Sequence, residues 1–359
     1  MGSTIKNFSN DTYIYNFPQT LPTWVYDLVL EQGSSNDGIS VSYVKEGVAS
    51  RSVLVGRFKG VSPNQSIREF LSNNQKSSLT GYVVYRAGLL DDQWLFDDGQ
   101  VLVSDFLSDL TDEKLAKMFN GNDVFTGSMK KGDYVNAYAG NDRMSGFGAT
   151  PGGLDIFFGG DGVDTAVFDG LRSQYKVDKS NAVWNPVSKL TNLTGYIVTQ
   201  KNQSTSGTAQ LYQVERIAFT DVTLAFDTDG KSGQAYRVYK AAFNRDPMSG
   251  DTKGLGYWIA QIENGMDLIE VSARFVDSNE FRTLYGANPT NAQFLTKLYQ
   301  NVLGRDPEAS GYNWWLNELN TNPSKTKAKV LADFAESGEN QMGVASLIGS
   351  GITYEPWVG

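Results

Sequence analysis

The sequence predicts an α+β multidomain chain: a mixed α/β N-terminal region, a short parallel β-roll with a small sheet, and an all-α helical repeat domain. Three observations point there. Aspartates recur about every nine residues in a glycine-rich stretch between Asn120 and Gly170. Apolar and polar residues alternate with period two in several segments on either side of that stretch. From Gly233 onward the period lengthens to that of a helix, in a pattern that occurs twice. The 359 residues suffice for two or three such units, and a hydrophobic fraction of 40% supports packed cores within them.

Residues 1–119 form the first expected unit. Ile39–Val44, Arg51–Phe58 and Gly81–Tyr85 alternate as strands do, whereas Ser66–Leu71 and the segment opening at Thr111 read as short helices. The carboxylate pairs Asp91-Asp92 and Asp97-Asp98 flank Trp94 and Phe96, a pattern that a hairpin edge explains. Residues 120–170 hold the aspartate repeat. Residues 171–226 add strand-like stretches at Gly195–Thr199, Ala209–Val214 and Arg216–Phe219, with the polar run Lys201–Gly207 as a turn, and so predict a small sheet that closes the roll.

Residues 227–359 contain the duplication. Phe243-Asn244-Arg245-Asp246-Pro247 is answered by Leu303-Gly304-Arg305-Asp306-Pro307. Gly254–Ile259 is answered by Gly311–Leu316, Val271–Val276 by Val330–Ala335, and Glu280 by Glu339. A near-constant offset of about sixty residues predicts two copies of one helical unit sharing a core. Trp258 and Trp315 occupy matching places. At helical spacing such rings are core residues, with a sugar-stacking surface as the competing reading. Asp227-Thr228-Asp229-Gly230 has the opening of an EF-hand loop, but Val238 stands where the twelfth-position glutamate belongs. A helix-capping turn is the expectation there, with Asp227 and Asp229 as candidates for a weak additional ion.

Two absences restrict the chemistry. With no cysteine and no histidine, disulfides, thiolate zinc sites, cysteine nucleophiles and Ser-His-Asp catalysis are excluded. Oxygen is what remains for metal binding, and oxygen suits hard cations. A net charge of −9 argues against a nucleic-acid binder. No stretch of about 18 apolar residues predicts a membrane span. No basic-then-apolar N-terminal stretch predicts a cleaved secretory signal.

The repeat supplies the oxygen. Asp123, Asp133, Asp142, Asp155 and Asp164 follow one another at ten, nine, thirteen and nine residues, the longer step falling around Gly148–Pro151. Two residues after each stands Phe125, Val135, Met144, Phe157 or Ala166. Glycine allows the tight positive-φ turn that gathers backbone carbonyls. The aspartate adds a charged oxygen at the same place, and the next residue but one points inward from a short strand. Stacked turns of this kind offer calcium the six to eight oxygens it prefers. Without the ion, the clustered carboxylates are expected to repel one another.

The segment resembles the repeats-in-toxin (RTX) family of calcium-binding parallel β-rolls, whose repeat is G-G-x-G-x-D-x-apolar-x. Gly159–Val167 fits that pattern in full. Gly121-Asn122-Asp123 and Gly140-Asn141-Asp142 keep one glycine and the aspartate, while Lys131 and Pro151 stand where glycines belong before Asp133 and Asp155. The resemblance implies calcium as cofactor, in the order of one to three ions, held at the five aspartates with Gly140, Gly153, Gly160, Asp161 and Gly162 in the turns. It also implies type I export without an N-terminal signal and calcium-dependent folding outside the cell. The duplicated region resembles a helical domain of unknown function found behind such repeats in bacterial secreted and surface-layer-like proteins. The expected role is therefore a secreted cell-surface, adhesion or surface-anchoring component. Its expected partners are calcium and lipopolysaccharide or another surface glycan, with a homo-oligomer open. A secreted carbohydrate-active enzyme and a self-assembling surface-layer subunit are the alternatives. No catalytic constellation supports the enzyme.

Overall fold

In the computed structural model the described residues are 119–126, 133–147, 154–181, 194–201 and 207–357, with Val61 and the strand segments 4–7, 38–45, 48–56, 78–86, 89–95 and 101–102. The chain divides into two compact units, 1–220 and 221–359. The expected segments 1–119 and 120–170 fall within the first of them, whereas the boundary at 220 cuts the expected closing sheet, 171–226, before β16.

The first unit opens with β1 (Thr4–Asn7), β2 (Gly38–Lys45), β3 (Val48–Gly56), β4 (Ser78–Arg86), β5 (Leu89–Leu95) and β6 (Val101–Leu102). Strands β2 to β5 form an antiparallel meander, with β6 also paired to β4. Ile39–Val44 lies within β2 and Gly81–Tyr85 within β4; Arg51–Gly56 lies in β3, and residues 57 and 58 of that expected strand fall outside the described residues. The helices expected at 66–71 and from Thr111 fall outside the described residues, as do Asp97 and Asp98. Asp91 and Asp92 lie in β5. β1 lies antiparallel to β5 and parallel to β7 (Val124–Thr126), so the meander and the repeat segment share a sheet.

The repeat segment winds as a coil with one strand of each turn in each of two sheets. β7, β9 (Arg143–Ser145), β11 (Thr165–Val167) and β15 (Arg216–Ala218) run parallel in one sheet. β8 (Tyr134–Asn136), β10 (Leu154–Phe158) and β14 (Thr208–Tyr212) run parallel in the other. Between β11 and β14 the chain leaves the coil to form a hairpin of β12 (Tyr175–Asn181) and β13 (Thr194–Gln200), and β13 then pairs with β14.

Register places the apolar residues in stacks. Phe125, Met144, Ala166 and Ile217 are successive partners in one sheet, and Val135, Phe157 and Leu211 in the other. All seven are at most 1% exposed, and the Phe125 and Phe157 rings meet across the coil at 6.4 Å. Three-residue strands contribute few ladder hydrogen bonds, so these stacks carry most of the stability. Each fully buried large side chain is worth about 1.5–3 kcal/mol. Phe168, Tyr175 and Phe219 pack together where the hairpin leaves the coil.

The second unit pairs a short strand, β16 (Thr223–Ala225), antiparallel with β17 (Ile352–Tyr354), and is otherwise helical. Among the described residues its helices are α1 (Lys231–Phe243), α2 (Pro247–Gly250), α3 (Thr252–Glu263), α4 (Leu268–Val276), α5 (Asn279–Tyr285), α6 (Asn291–Leu303), α7 (Ala309–Thr321), α8 (Lys327–Ala335) and α9 (Gly338–Ile348). The duplication shows in matched lengths: α1 and α6 have 13 residues each, α4 and α8 have 9 each. It also shows in matched contacts. Arg245 makes a bidentate pair with Glu280 at 2.6 and 3.1 Å, and Arg305 one with Glu339 at 2.8 and 3.0 Å. Each guanidinium also lies over a tyrosine ring, Tyr239 at 4.9 Å and Tyr299 at 5.3 Å.

The Arg-Asp-Pro turns differ in one respect. Asp246 accepts from the Met248 amide as the N-cap of α2, with Pro247 in the first turn. Asp306 caps nothing and accepts from the Gln300 side chain at 3.0 Å, while Glu308 precedes α7. Residues from both copies, including Leu255, Ile259, Phe275, Leu298, Leu331 and Phe334, form one core. Among the described residues no helix is long and apolar enough to cross a membrane.

Candidate metal centre

Parallel register stacks one acidic residue per turn at the entry to each strand of the first sheet. Val124, Arg143, Thr165 and Arg216 are register partners, so the residues before them, Asp123, Asp142, Asp164 and Glu215, form a column. Hydrogen bonds join it. The Asp123 amide donates to Asp142 Oδ1 at 2.7 Å, the Asp142 amide to Asp164 Oδ1 at 2.8 Å, and the Asp164 amide to Glu215 Oε2 at 2.9 Å. Asp142, Asp164 and Glu215 thus each spend one carboxylate oxygen on the turn before. Asp123, Asp142 and Asp164 are at most 1% exposed. Asp142 Oδ2 and Asp164 Oδ2 are buried and accept no hydrogen bond.

The turns leading into the column are built from glycine because adjacent backbones touch there. At Gly140 and Gly162 φ is +130° and +139°, and a Cβ would lie 2.0 Å from the Gly121 carbonyl oxygen and 1.8 Å from that of Gly140. No side chain fits either place. A second ladder runs beside the first in the opposite sense: the Asn141 amide donates to Asn122 Oδ1 at 2.7 Å and the Val163 amide to Asn141 Oδ1 at 2.9 Å. The turn Gly159–Val163, the best-formed repeat in the sequence, sits on the earlier turn. Gly140 donates to the Asp161 carbonyl and Asp161 to that of Tyr138. Gly160 takes φ +108° against the Tyr138 carbonyl, and the Asp161 carboxylate is exposed.

Burial and stacking set the electrostatics. Burial first, then the charges of Asp164 and Asp123, push the Asp142 carboxyl up to about 8. Burial first, then the charges of Glu215 and Asp161, push Asp164 up to about 7. Carboxylates stacked at the strand spacing of about 4.8 Å resist joint ionisation unless a cation lies among them. The two orphaned oxygens and the shifted carboxyls therefore fit a hard cation. Among the described residues no three carboxylates converge on a single point. An ion here would take a carboxylate oxygen from each of two turns and complete its shell with backbone carbonyls, as calcium accepts.

The remaining sequence candidates are placed as follows. Asp133 and Asp155 form a second column on the other sheet, both at most 2% exposed, with the Asp133 amide donating to Asp155 Oδ1 at 3.0 Å. The next register partner is Ala209, so among the described residues that column shows no third carboxylate. Gly153 lies outside the described residues. Asp227 caps α1, its Oδ2 accepting from the Ser232 amide at 3.1 Å, and Asp229 is exposed. Trp258 packs edge-on against Phe275 at 4.7 Å, and Trp315 meets Phe334 at 5.3 Å. Both indoles lie half-buried against the helical core. Trp258→Ala and Trp315→Ala are each expected to cost the helical unit about 2–3 kcal/mol, checked as a lower thermal midpoint by circular dichroism.

Sequence reasoning missed three members of this site. Asn122 and Asn141 carry the second ladder, and their signal was an asparagine directly before the aspartate in two repeats. Glu215 stands two residues before Ile217, the same acid-x-apolar spacing as 123/125, 142/144 and 164/166, but no glycine turn marks it.

No curated protein matches this chain. Among solved structures it is similar to the extracellular lipase LipA from Serratia marcescens, at 15% identity and a TM-score of 0.22, over 29% of this chain and 15% of that one. The chain thus spans under a sixth of that lipase, and a likeness so slight fixes neither fold nor chemistry. Residues 272–344, from within α4 to within α9, match the family model described as a domain of unknown function, DUF4214.

Proposed function

We propose that the coil is a calcium-binding β-roll of the repeats-in-toxin kind, in a secreted protein that folds outside the cell and acts at a cell surface through its flanking segments. The observation that carries this reading is the column of buried carboxylates, in which Asp142 Oδ2 and Asp164 Oδ2 lack hydrogen bonds. Such groups are costly in a neutral interior and favourable beside a cation. Asp123, Asp142 and Asp164 would hold calcium between successive turns, with turn carbonyls completing the shell. When bound, calcium supplies the positive charge that lets these acids ionise while buried. The second column, at Asp133 and Asp155, would add a site on the opposite edge.

The partner class proposed for the flanking segments is a surface glycan such as lipopolysaccharide. The absence of histidine and cysteine favours binding over turnover.

Calorimetry of the full chain in excess chelator, calcium and magnesium tests the metal reading. A site filled at about a hundredfold over its Kd adds about 2.7 kcal/mol, or roughly 5–10 °C for a melting unit the size of residues 1–220. Calcium is expected to produce such a rise and magnesium a much smaller one, because magnesium demands a tight octahedral shell that a carbonyl-rich turn does not supply. Identical melting curves in all three conditions would sink the reading. Sedimentation of calcium-loaded protein with whole cells tests the surface role.

A further inference from the structure

The column does not stop where the glycine repeats stop. Glu215 enters it as the fourth acid, yet 51 residues separate it from Asp164, with which it is hydrogen-bonded at 2.9 Å. The turn that delivers it differs from the two beneath it. Asn136, Phe158 and Tyr212 are register partners. Five residues lead from Asn136 to Asp142 and five from Phe158 to Asp164, but only Gln213 and Val214 lead from Tyr212 to Glu215. Gln213 takes a left-handed φ of +51°, as Tyr138 at +69° and Gly160 at +108° do in the lower turns. A shorter turn holds its backbone closer to the strand, and glutamate's additional methylene lets the carboxylate reach the preceding rung.

Asp164 supplies the independent observation. It is 0% exposed and its Oδ2 accepts no hydrogen bond. That oxygen is turned into the Gly159–Val163 turn, where it and the Gln213 carbonyl oxygen both crowd Gly159, at 2.4 and 2.2 Å from the place of a Cβ. The Asp164 oxygen and the Gln213 carbonyl therefore crowd one place at the top of the column, and the Asp164 amide holds the Glu215 carboxylate beside that rung. Arg216, beside them, donates to the Glu215 carbonyl at 3.1 Å.

We propose that Glu215, Asp164 and the Gln213 carbonyl form a terminal divalent-cation site, outside the glycine repeats, that pins the hairpin β12–β13 to the end of the coil. It rests on the calcium reading above. An ion there closes the loop from Asp164 to Glu215, so metal binding orders the hairpin as well as the repeats. Tyr196, on β13, provides a reporter, because its phenol lies in the field of Glu215 and is raised by burial and by that charge to about 12.

Equilibrium dialysis of the full chain with calcium, comparing wild type, Glu215→Gln and Asp142→Asn, tests the proposal. Glutamine keeps an acceptor for the Asp164 amide, so the coil should retain its circular dichroism. Glu215→Gln is expected to bind one ion fewer, or to bind one ion about tenfold or more weakly. Terbium emission gives a readout on the unaltered acids: Tyr196→Phe should lose part of the tyrosine-sensitised signal while binding as many ions as wild type. Full stoichiometry and affinity in Glu215→Gln, alongside a loss in Asp142→Asn, would overturn the terminal site and leave the calcium reading standing. Emission unchanged in Tyr196→Phe would likewise count against the site. A wild type that binds no calcium overturns both.

Discussion

Asp142→Asn is expected to stabilise the metal-free protein and to destabilise the calcium-loaded one. Asparagine keeps an oxygen for the Asp123 amide, which donates to Asp142 Oδ1 at 2.7 Å, and removes a charge that burial and two neighbouring carboxylates oppose. In chelator at pH 8 the change should add on the order of 1–3 kcal/mol. In calcium it removes a charged ligand and should subtract a similar amount. Melting curves of the two proteins should therefore exchange order when calcium is added. A variant that is less stable in both conditions would show that the carboxylate is a structural acceptor only.

The pH dependence of the wild type follows from the same groups. Asp142 and Asp164 stand at about 8 and about 7 in the folded, metal-free chain, against about 3.9 for an unfolded aspartate. The folded state then binds more protons than the unfolded one between these values, so stability falls as pH rises. As far as these two groups decide it, metal-free protein is expected to be most stable below about pH 4 and to lose stability steadily above it. It should lose on the order of a few kcal/mol by pH 8. Calcium, by favouring the ionised forms, should flatten or reverse that slope, and thermal melts across this range with and without chelator measure it.

Gly162→Ala is expected to have the larger effect on folding. Its Cβ would lie 1.8 Å from the Gly140 carbonyl oxygen, at a φ of +139°. The obstruction is the Gly140 backbone and not the end of a flexible side chain, so the turns must part. A penalty of about 4 kcal/mol or more places this among the exceptional substitutions. Loss of calcium binding together with loss of the cooperative melt of the coil is the expected reading. The helical unit, which has its own core, should retain its helical circular dichroism. A variant that binds calcium normally would show that the turns are not in backbone contact.

The parts of this architecture visible in sequence are those whose cause is local. Phe125, Val135, Met144, Phe157 and Ala166 follow an acid by two residues, and all are buried, because alternation along a strand fixes which side chain turns inward. The duplicated helical unit was equally legible: matching residues at a constant offset make matching contacts, as Arg245 with Glu280 and Arg305 with Glu339 show. Trp258 and Trp315 were ambiguous, since a half-buried indole at a core edge and one in a sugar-stacking surface share the same helical spacing. Asp227 carried an EF-hand signature, but its oxygen caps α1, a role that the same residue types satisfy with one fewer ligand shell to build.

The aspartate repeat, by itself, determined that tight glycine turns would carry acids at a period near nine, because spacing, side-chain size and allowed φ are properties of a single turn. Only the tertiary structure decided which acids meet. Alternate strands go to different sheets, so Asp123, Asp142 and Asp164 share one column while Asp133 and Asp155 share another. The hairpin between β11 and β14 is long in sequence and short in space, so Glu215 arrives above Asp164. Hydrogen bonds between parallel strands set that register, and no spacing within one turn encodes it.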